Sequence, residues 1–293
     1  MTSAGAPLSV GFEEQVFFEY WPNGNPRPHI GAMYTSDGVR ITRDIATAPT
    51  DSDDHLHHKG VWWGHRDVTS SEVSGADVWT EFDGHGRIVP MAPAERAQDG
   101  DGVRIVHTTR WVDARDTPLL DDIRTLRAAA PGSDGSQTLD VESTMRATYG
   151  SVVLGDTKEA GLVAVRVAPA MEERRGGRIE LSSGAVGEAA SWGAGSDWCD
   201  YSGTVDGETV GIAILDHPDN PRPARWHVRE YGLMAVNPFG LSEFTGDSTV
   251  SGALALESGA SMTFRYRVLV HRGDARAADV AGHYVRYLDE LGR

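Results

Sequence analysis

Short apolar runs that alternate with polar residues at a spacing of two dominate residues 8–272, and Gly, Pro, Asn and Asp separate them. Side chains on an extended backbone alternate between faces, so this spacing predicts strands with one face in a core. Residues 8–12 and 16–20 read as two strands before the turn-prone Pro22, Asn23, Gly24 and Pro26. Residues 103–112 and 137–146 read as long strands, the second with clear alternation, and residues 261–271 alternate over a similar span. Residues 203–215 read as a hairpin turning at Asp206-Gly207, a pair suited to the left-handed backbone of a tight turn. From Asp274 the period changes: Val280, Tyr284, Tyr287, Leu288 and Leu291 recur at helical spacing and predict an amphipathic closing helix over residues 274–291. The pattern contains no internal repeat and no linker. It predicts an all-β fold, a large two-sheet antiparallel β-sandwich of supersandwich type, as a single domain over residues 1–293.

Composition narrows the functional classes. The chain has 293 residues, 40% hydrophobic and 8% aromatic, enough for one large β core. Its apolar run at 161–171 is interrupted by Arg166, and no stretch approaches the roughly 18 apolar residues of a membrane helix. The first seven residues lack a basic region followed by an apolar one. A cytoplasmic protein with no membrane partner is therefore expected. Asp and Glu number 43 against 27 Lys and Arg, for a net charge of −16, and the basic runs are short, which argues against a nucleic-acid partner. Cys199 is the only cysteine, so an internal disulfide, a cysteine-rich zinc site and an iron–sulfur cluster are excluded. It reads as a small buried hydrophobe. Oligomeric state is not set by the sequence.

The densest chemistry lies in residues 55–65, after the acidic Asp51, Asp53 and Asp54. His55, His57, His58 and His65 stand there with Lys59, Trp62, Trp63, Gly60 and Gly64. Imidazoles relay protons or bind metals near neutral pH, and the glycines permit close backbone approach. Fully extended, His58 and Trp62 would share one face and His55, His57 and Lys59 the other, whereas a turn at Lys59-Gly60 would fold His65 back onto the earlier rings. Buried histidines bonded to backbone, with tryptophans filling a core, are the competing reading. A second segment sets Lys158 beside Glu159 before a β run, an acid and a base facing a ligand or else a solvated turn. A third, residues 226–240, offers His227, Arg229, Tyr231 and Asn237 among aromatic residues. It suits either a sugar-binding wall or core aromatics beside a loop. Asp54 with His55, His57 and His58 would supply donors for a divalent metal, although the spacing matches no zinc motif. Gly-x-Ser-x-Gly, the P-loop and a strand-linked Gly-x-Gly-x-x-Gly are missing, so no nucleotide cofactor is expected.

The residues Arg27-Pro28-His29, Met33-Tyr34, Gly38-Val39, Thr42-Arg43-Asp44, Asp54 to His65, Gly155 to Glu159, Asp200 to Gly203, Asp216-His217-Pro218 and Asn237 to Gly240 carry a family resemblance over roughly residues 25–270. The chain resembles a bacterial domain family of unknown function labelled "methane oxygenase PmoA". That label implies a membrane-embedded copper enzyme, and the sequence has no spanning segment to place it there. Methane chemistry is rejected. The resemblance implies a role in carbohydrate catabolism and carries His55, His57, His58, His65, Lys158 and Glu159 forward as candidates.

The leading expectation is a carbohydrate-active enzyme, a lyase or hydrolase, acting on a glycoside or keto-sugar by acid/base chemistry. His58, His65, Glu159 and Lys158 are its catalytic candidates. His55, His57, Trp62, Trp63, His227, Arg229, Tyr231 and Asn237 are its substrate-binding ones. Hydrolysis by paired carboxylates and non-catalytic sugar binding are the alternatives.

Overall fold

The computed structural model describes residues 5–44, 51, 54–82 and 84–293, so Asp53 of the acidic run lies outside the described residues. Two antiparallel sheets form the sandwich. The first orders its strands as Leu8–Phe12, Gln15–Trp21, His29–Met33, Val61–His65, Ala160–Arg166, Leu233–Val236 and Trp226–Arg229. The second has nine strands. Arg178–Leu181, Trp198–Val205, Glu208–Asp216, Ser261–Arg272, Gln137–Arg146, Pro118–Ala128, Gly102–Val112 and Arg87–Pro90 follow in that order, and Glu95–Asp99 also pairs with Gly102–Val112. A small three-stranded sheet, Leu254–Leu256, Val152–Leu154 and Val68–Ser70, stands apart.

The alternation along the strands decides what each face packs against. Phe18, Val61, Trp63, Val163 and Val165 from the first sheet meet Leu126, Val141, Ile212 and Val268 from the second in the main core. The Asp206-Gly207 turn is present as expected, with φ of 52° and 87° at its two residues. The strands Leu8–Phe12 and Gln137–Arg146 have the bounds that the alternation predicts. Cys199 is buried.

On the outer face of the nine-stranded sheet, Trp198, Ala213, Leu215 and Leu269 pack against Val280 and Tyr287 of the C-terminal helix. That helix runs Val280–Glu290, starting later than residue 274. Asp279 caps it by accepting a hydrogen bond from the Gly282 amide, so the capping residue rather than the apolar spacing sets the start. No helix among the described residues is long and apolar enough to cross a membrane.

Candidate functional site

Two neighbouring tryptophans on the strand Val61–His65 go to opposite sides of the seven-stranded sheet. Trp63 joins the main core, where the Arg124 guanidinium lies 3.8 Å from its ring centre. Trp62 joins a separate cluster on the outer face with Trp79, Ala164, Leu233 and Ala235. His65 has the parity of Trp63. Its ring meets Phe239 of the core at 5.0 Å, and its Nδ1 accepts a hydrogen bond from the Asp67 amide. His65 and Trp63 therefore leave the candidate set, because a period of two sends them away from His58 and Trp62. Lys59-Gly60 makes no turn that would bring His65 back. The chain instead presses against the neighbouring strand there, and a Cβ on Gly60 would lie 1.8 Å from the Gly31 carbonyl oxygen.

The turn lies one step earlier. His55 adopts a left-handed φ of 45°, and the His58 amide donates to the His55 carbonyl at 2.8 Å. This closure gathers three imidazoles that an extended strand would separate. His58 stacks on Trp62 at 4.9 Å, His55 stacks on His58 at 4.9 Å, and Tyr231 stacks on His55 at 4.8 Å. His57 meets His58 edge-on at 4.3 Å. The outer face thus carries a layered column of rings over the small side chains of Ala164 and Ala235.

A buried charge network holds the turn. Arg43 donates to the Asp54 carboxylate at 3.0 Å, to the Asp54 carbonyl at 2.6 Å and to the His55 carbonyl at 2.8 Å, and it also bonds the His58 carbonyl. Arg166 donates to Asp54 at 2.7 Å and to His58 Nδ1 at 3.4 Å, lies 3.6 Å from Glu172, and packs 4.8 Å from the Tyr231 ring centre. Arg174 and Arg175 complete the pairing of Glu172 at 2.7 and 3.1 Å. A guanidinium only donates, so His58 Nδ1 accepts and the proton of the neutral ring sits on Nε2.

Burial and the surrounding positive charge keep these rings neutral. Burial, then Arg27 and His55, lowers His57 to about 3. Burial, then His57 and Arg166, pushes His58 well below its ordinary value, and burial with Arg166 and Arg43 lowers His55 despite Asp54. Arg43 falls only to about 10 and stays charged at neutral pH. Among the described residues no three His, Cys, Asp or Glu side chains converge to hold a metal ion. Asp54 is bonded by two guanidinium groups, whose charge opposes a dication.

The remaining candidates divide. Arg229 and His227 also lie on the outer face. Arg229 is tied to Glu188 at 2.8 Å, and His227 is almost fully buried, lowered to about 4 mainly by burial. Lys158 bridges Glu159 at 3.1 Å and Glu243 at 3.3 Å. Asn237 is structural: its amide donates to the Thr157 and Lys158 carbonyls while its oxygen accepts from the Phe239 and Gly240 amides. All its polar capacity goes to joining two loops.

Two cavities adjoin the histidine turn. One, of about 230 Å³, is lined by Trp21, Asn25, His29, Arg43, Asp44 and His58, among others. The second, of about 680 Å³, is lined by Leu56, Glu81, Phe82 and Arg87 and shares Asn25 and Lys59 with the first. Glu159 and Lys158 line neither of these two cavities.

Sequence reasoning left Arg166, Glu172 and Trp79 out of the site. Arg166 had a visible mark, a charge interrupting an apolar run that turns out to be a wholly buried strand. Glu172 and Trp79 reach the site only through long-range packing and left no local mark.

No curated protein matches the sequence. Among solved structures, the chain is similar to a "putative aldose 1-epimerase" from Klebsiella pneumoniae subsp. pneumoniae MGH 78578, with a TM-score of 0.51 and 13% identity over 96% of this chain and 83% of that one. It is also similar to a galactose mutarotase-like protein from Lactobacillus casei ATCC 334, with a TM-score of 0.48 and 10% identity over 90% of this chain and all of that one. A third similar structure is the GH36 alpha-galactosidase AgaA from Geobacillus stearothermophilus, with a TM-score of 0.44 and 13% identity over 92% of this chain. The chain spans 40% of that galactosidase's length. At 13% identity the likeness to the first of these structures shows the fold alone and no particular activity. The sequence profile of a family described as "Family of unknown function (DUF6807)" matches residues 8–285, and the chain belongs to that family.

Proposed function

We propose that the protein is a carbohydrate-active enzyme that binds a glycoside or oxidised sugar beside the histidine turn and acts on it by proton transfer. The observation that carries this reading is His58, which belongs at once to the ring column, the arginine–carboxylate network and the wall of the smaller cavity. Held neutral, with Nδ1 engaged by Arg166, the ring serves as an Nε2–H donor to an oxygen on which charge develops, such as a sugar carbonyl during enolisation. Asp44, on the same cavity wall, takes the proton from the adjacent carbon and returns it to the departing oxygen. Arg43 and Arg166 supply a positive field that favours the enolate. Glu159, farther along the sheet face, is assigned the positioning of Lys158.

Purified protein incubated with glycosides and their 3-keto derivatives, with and without a chelator, tests this reading. Turnover is expected in both conditions, and His58→Gln and Asp44→Asn are each expected to lower it about a hundredfold or more, the lower range for a lost proton-transfer group. Full turnover in both variants would overturn the assignment. A second reading, sugar binding without reaction, is favoured by the confinement of His58 between the Trp62 and His55 rings, which suits a fixed donor better than a proton carrier. Saturable binding with no product from any sugar would select it.

A further inference from the structure

We propose that the larger cavity is a subsite for the second sugar ring of a disaccharide, with Phe82 as its stacking platform. The inference rests on the reading that a first ring occupies the cavity beside His58. The two cavities share the Asn25 and Lys59 walls, so a ring in the first lies beside the second. Their sizes differ in a way that sets the ligand's size. Pockets for drug-sized ligands hold about 300–1,000 Å³. The first cavity, at about 230 Å³, falls below that range and suits one ring, whereas the second, at about 680 Å³, has room for another with its solvent.

The lining of the second cavity matches a sugar ring, which has an apolar C–H face and a hydroxyl rim. Phe82 is 67% exposed and Leu56 is 54% exposed, and both line this cavity. Phe82 is flanked rather than covered, with the His57 ring tilted to it at 6.3 Å and the His85 ring edge-on at 5.7 Å. Through His57 it connects to the imidazole cluster. Polar groups surround it: Lys59 and Glu81 form an ion pair at 2.9 Å, and Arg87 lies on the same wall. Ionic and amide groups of this kind bond hydroxyls in fixed directions, while the aromatic face takes the C–H side.

The test compares binding of one-ring and two-ring probes by calorimetry on the intact protein. Methyl α- and β-glucosides and galactosides are set against maltose, cellobiose, melibiose and lactose, together with the 3-keto forms of each. With a second ring stacked on Phe82, the best disaccharide is expected to bind about tenfold tighter than its one-ring counterpart, about 1.4 kcal/mol. Phe82→Ala is expected to erase that advantage and leave the one-ring affinity within about twofold, and Phe82→Trp to preserve it. Truncating so exposed a side chain removes little core contact, and an unchanged melting temperature confirms that the variant is folded.

If disaccharides bind no tighter than methyl glycosides, or if Phe82→Ala weakens both equally, the subsite is refuted while the sugar-binding reading stands. If no saccharide binds wild-type protein, that reading falls and this one with it.

Discussion

Each face of the seven-stranded sheet carries a buried arginine, a carboxylate and an aromatic ring, and the two arrangements differ in whether they close. On the core side, Arg124 lies over Trp63 and donates to Asp122 at 2.8 Å, to Ser143 at 3.1 Å and to the Leu162 carbonyl at 3.3 Å. Ser143 returns a 2.7 Å hydrogen bond to Asp122. Both charged side chains are at most 1% exposed, and every partner is internal. On the outer side, Arg166 is equally buried, yet its partner Asp54 is 36% exposed and its neighbour His58 lines a cavity. The same residue types thus build a sealed strut on one face and an open site on the other. Burial of a charge does not by itself mark function; an open edge beside it does.

Breaking the sealed arrangement should cost most. Asp122→Ala strands the Arg124 charge in the core, and loss of one partner from a buried pair costs about 3–5 kcal/mol. Asp54→Ala should cost clearly less. Arg166 there keeps Glu172 nearby, and Arg43 keeps its backbone carbonyl acceptors. Chemical denaturation of both variants measures the difference, and equal losses would erase the contrast between the faces.

How much of this was legible follows from the range of each interaction. Alternation is local, so the strands, the Asp206-Gly207 hairpin and the pairing of His58 with Trp62 could all be read from spacing. The His55 turn could not, because its left-handed backbone is held by Arg43 from twelve positions upstream. Nor could the full role of Asn237, whose appearance among aromatics suggested a ligand wall while the two carbonyls to which its amide donates lie about eighty residues away. Glu159, a candidate together with His58 and His65, stands at the strand end far from His58, where the sheet register sets its neighbour Ala160 opposite His65.

The histidines extend the comparison to pH. Burial lowers the core-side His65 to about 3, so the folded protein leaves it neutral while the unfolded chain protonates near the ordinary 6.5. Its stabilising contribution is therefore complete above 6.5 and declines as pH falls toward 3. Wild-type unfolding free energy should drop over that interval, and His65→Gln, which takes up no proton in either state, should drop less steeply. The difference in slope should approach about 1.4 kcal/mol per pH unit. Parallel curves would show that His65 titrates alike in both states and that its burial is not sealed. On the outer face the same depression leaves turnover without a histidine inflection between about pH 5 and 8.

The smallest effect is expected at Glu159. It bonds Lys158, which keeps Glu243, and it lines neither cavity beside His58. Glu159→Gln should therefore change turnover less than about twofold, while Asp44→Asn lowers it about a hundredfold or more. Side-by-side rates on one sugar decide whether the outer face works from its cavity end or along its whole length. A collapse of turnover in Glu159→Gln with Asp44→Asn intact would move the base to the far end of the strand Ala160–Arg166. The substrate would then have to lie across the Tyr231 column rather than beside the Lys59 wall.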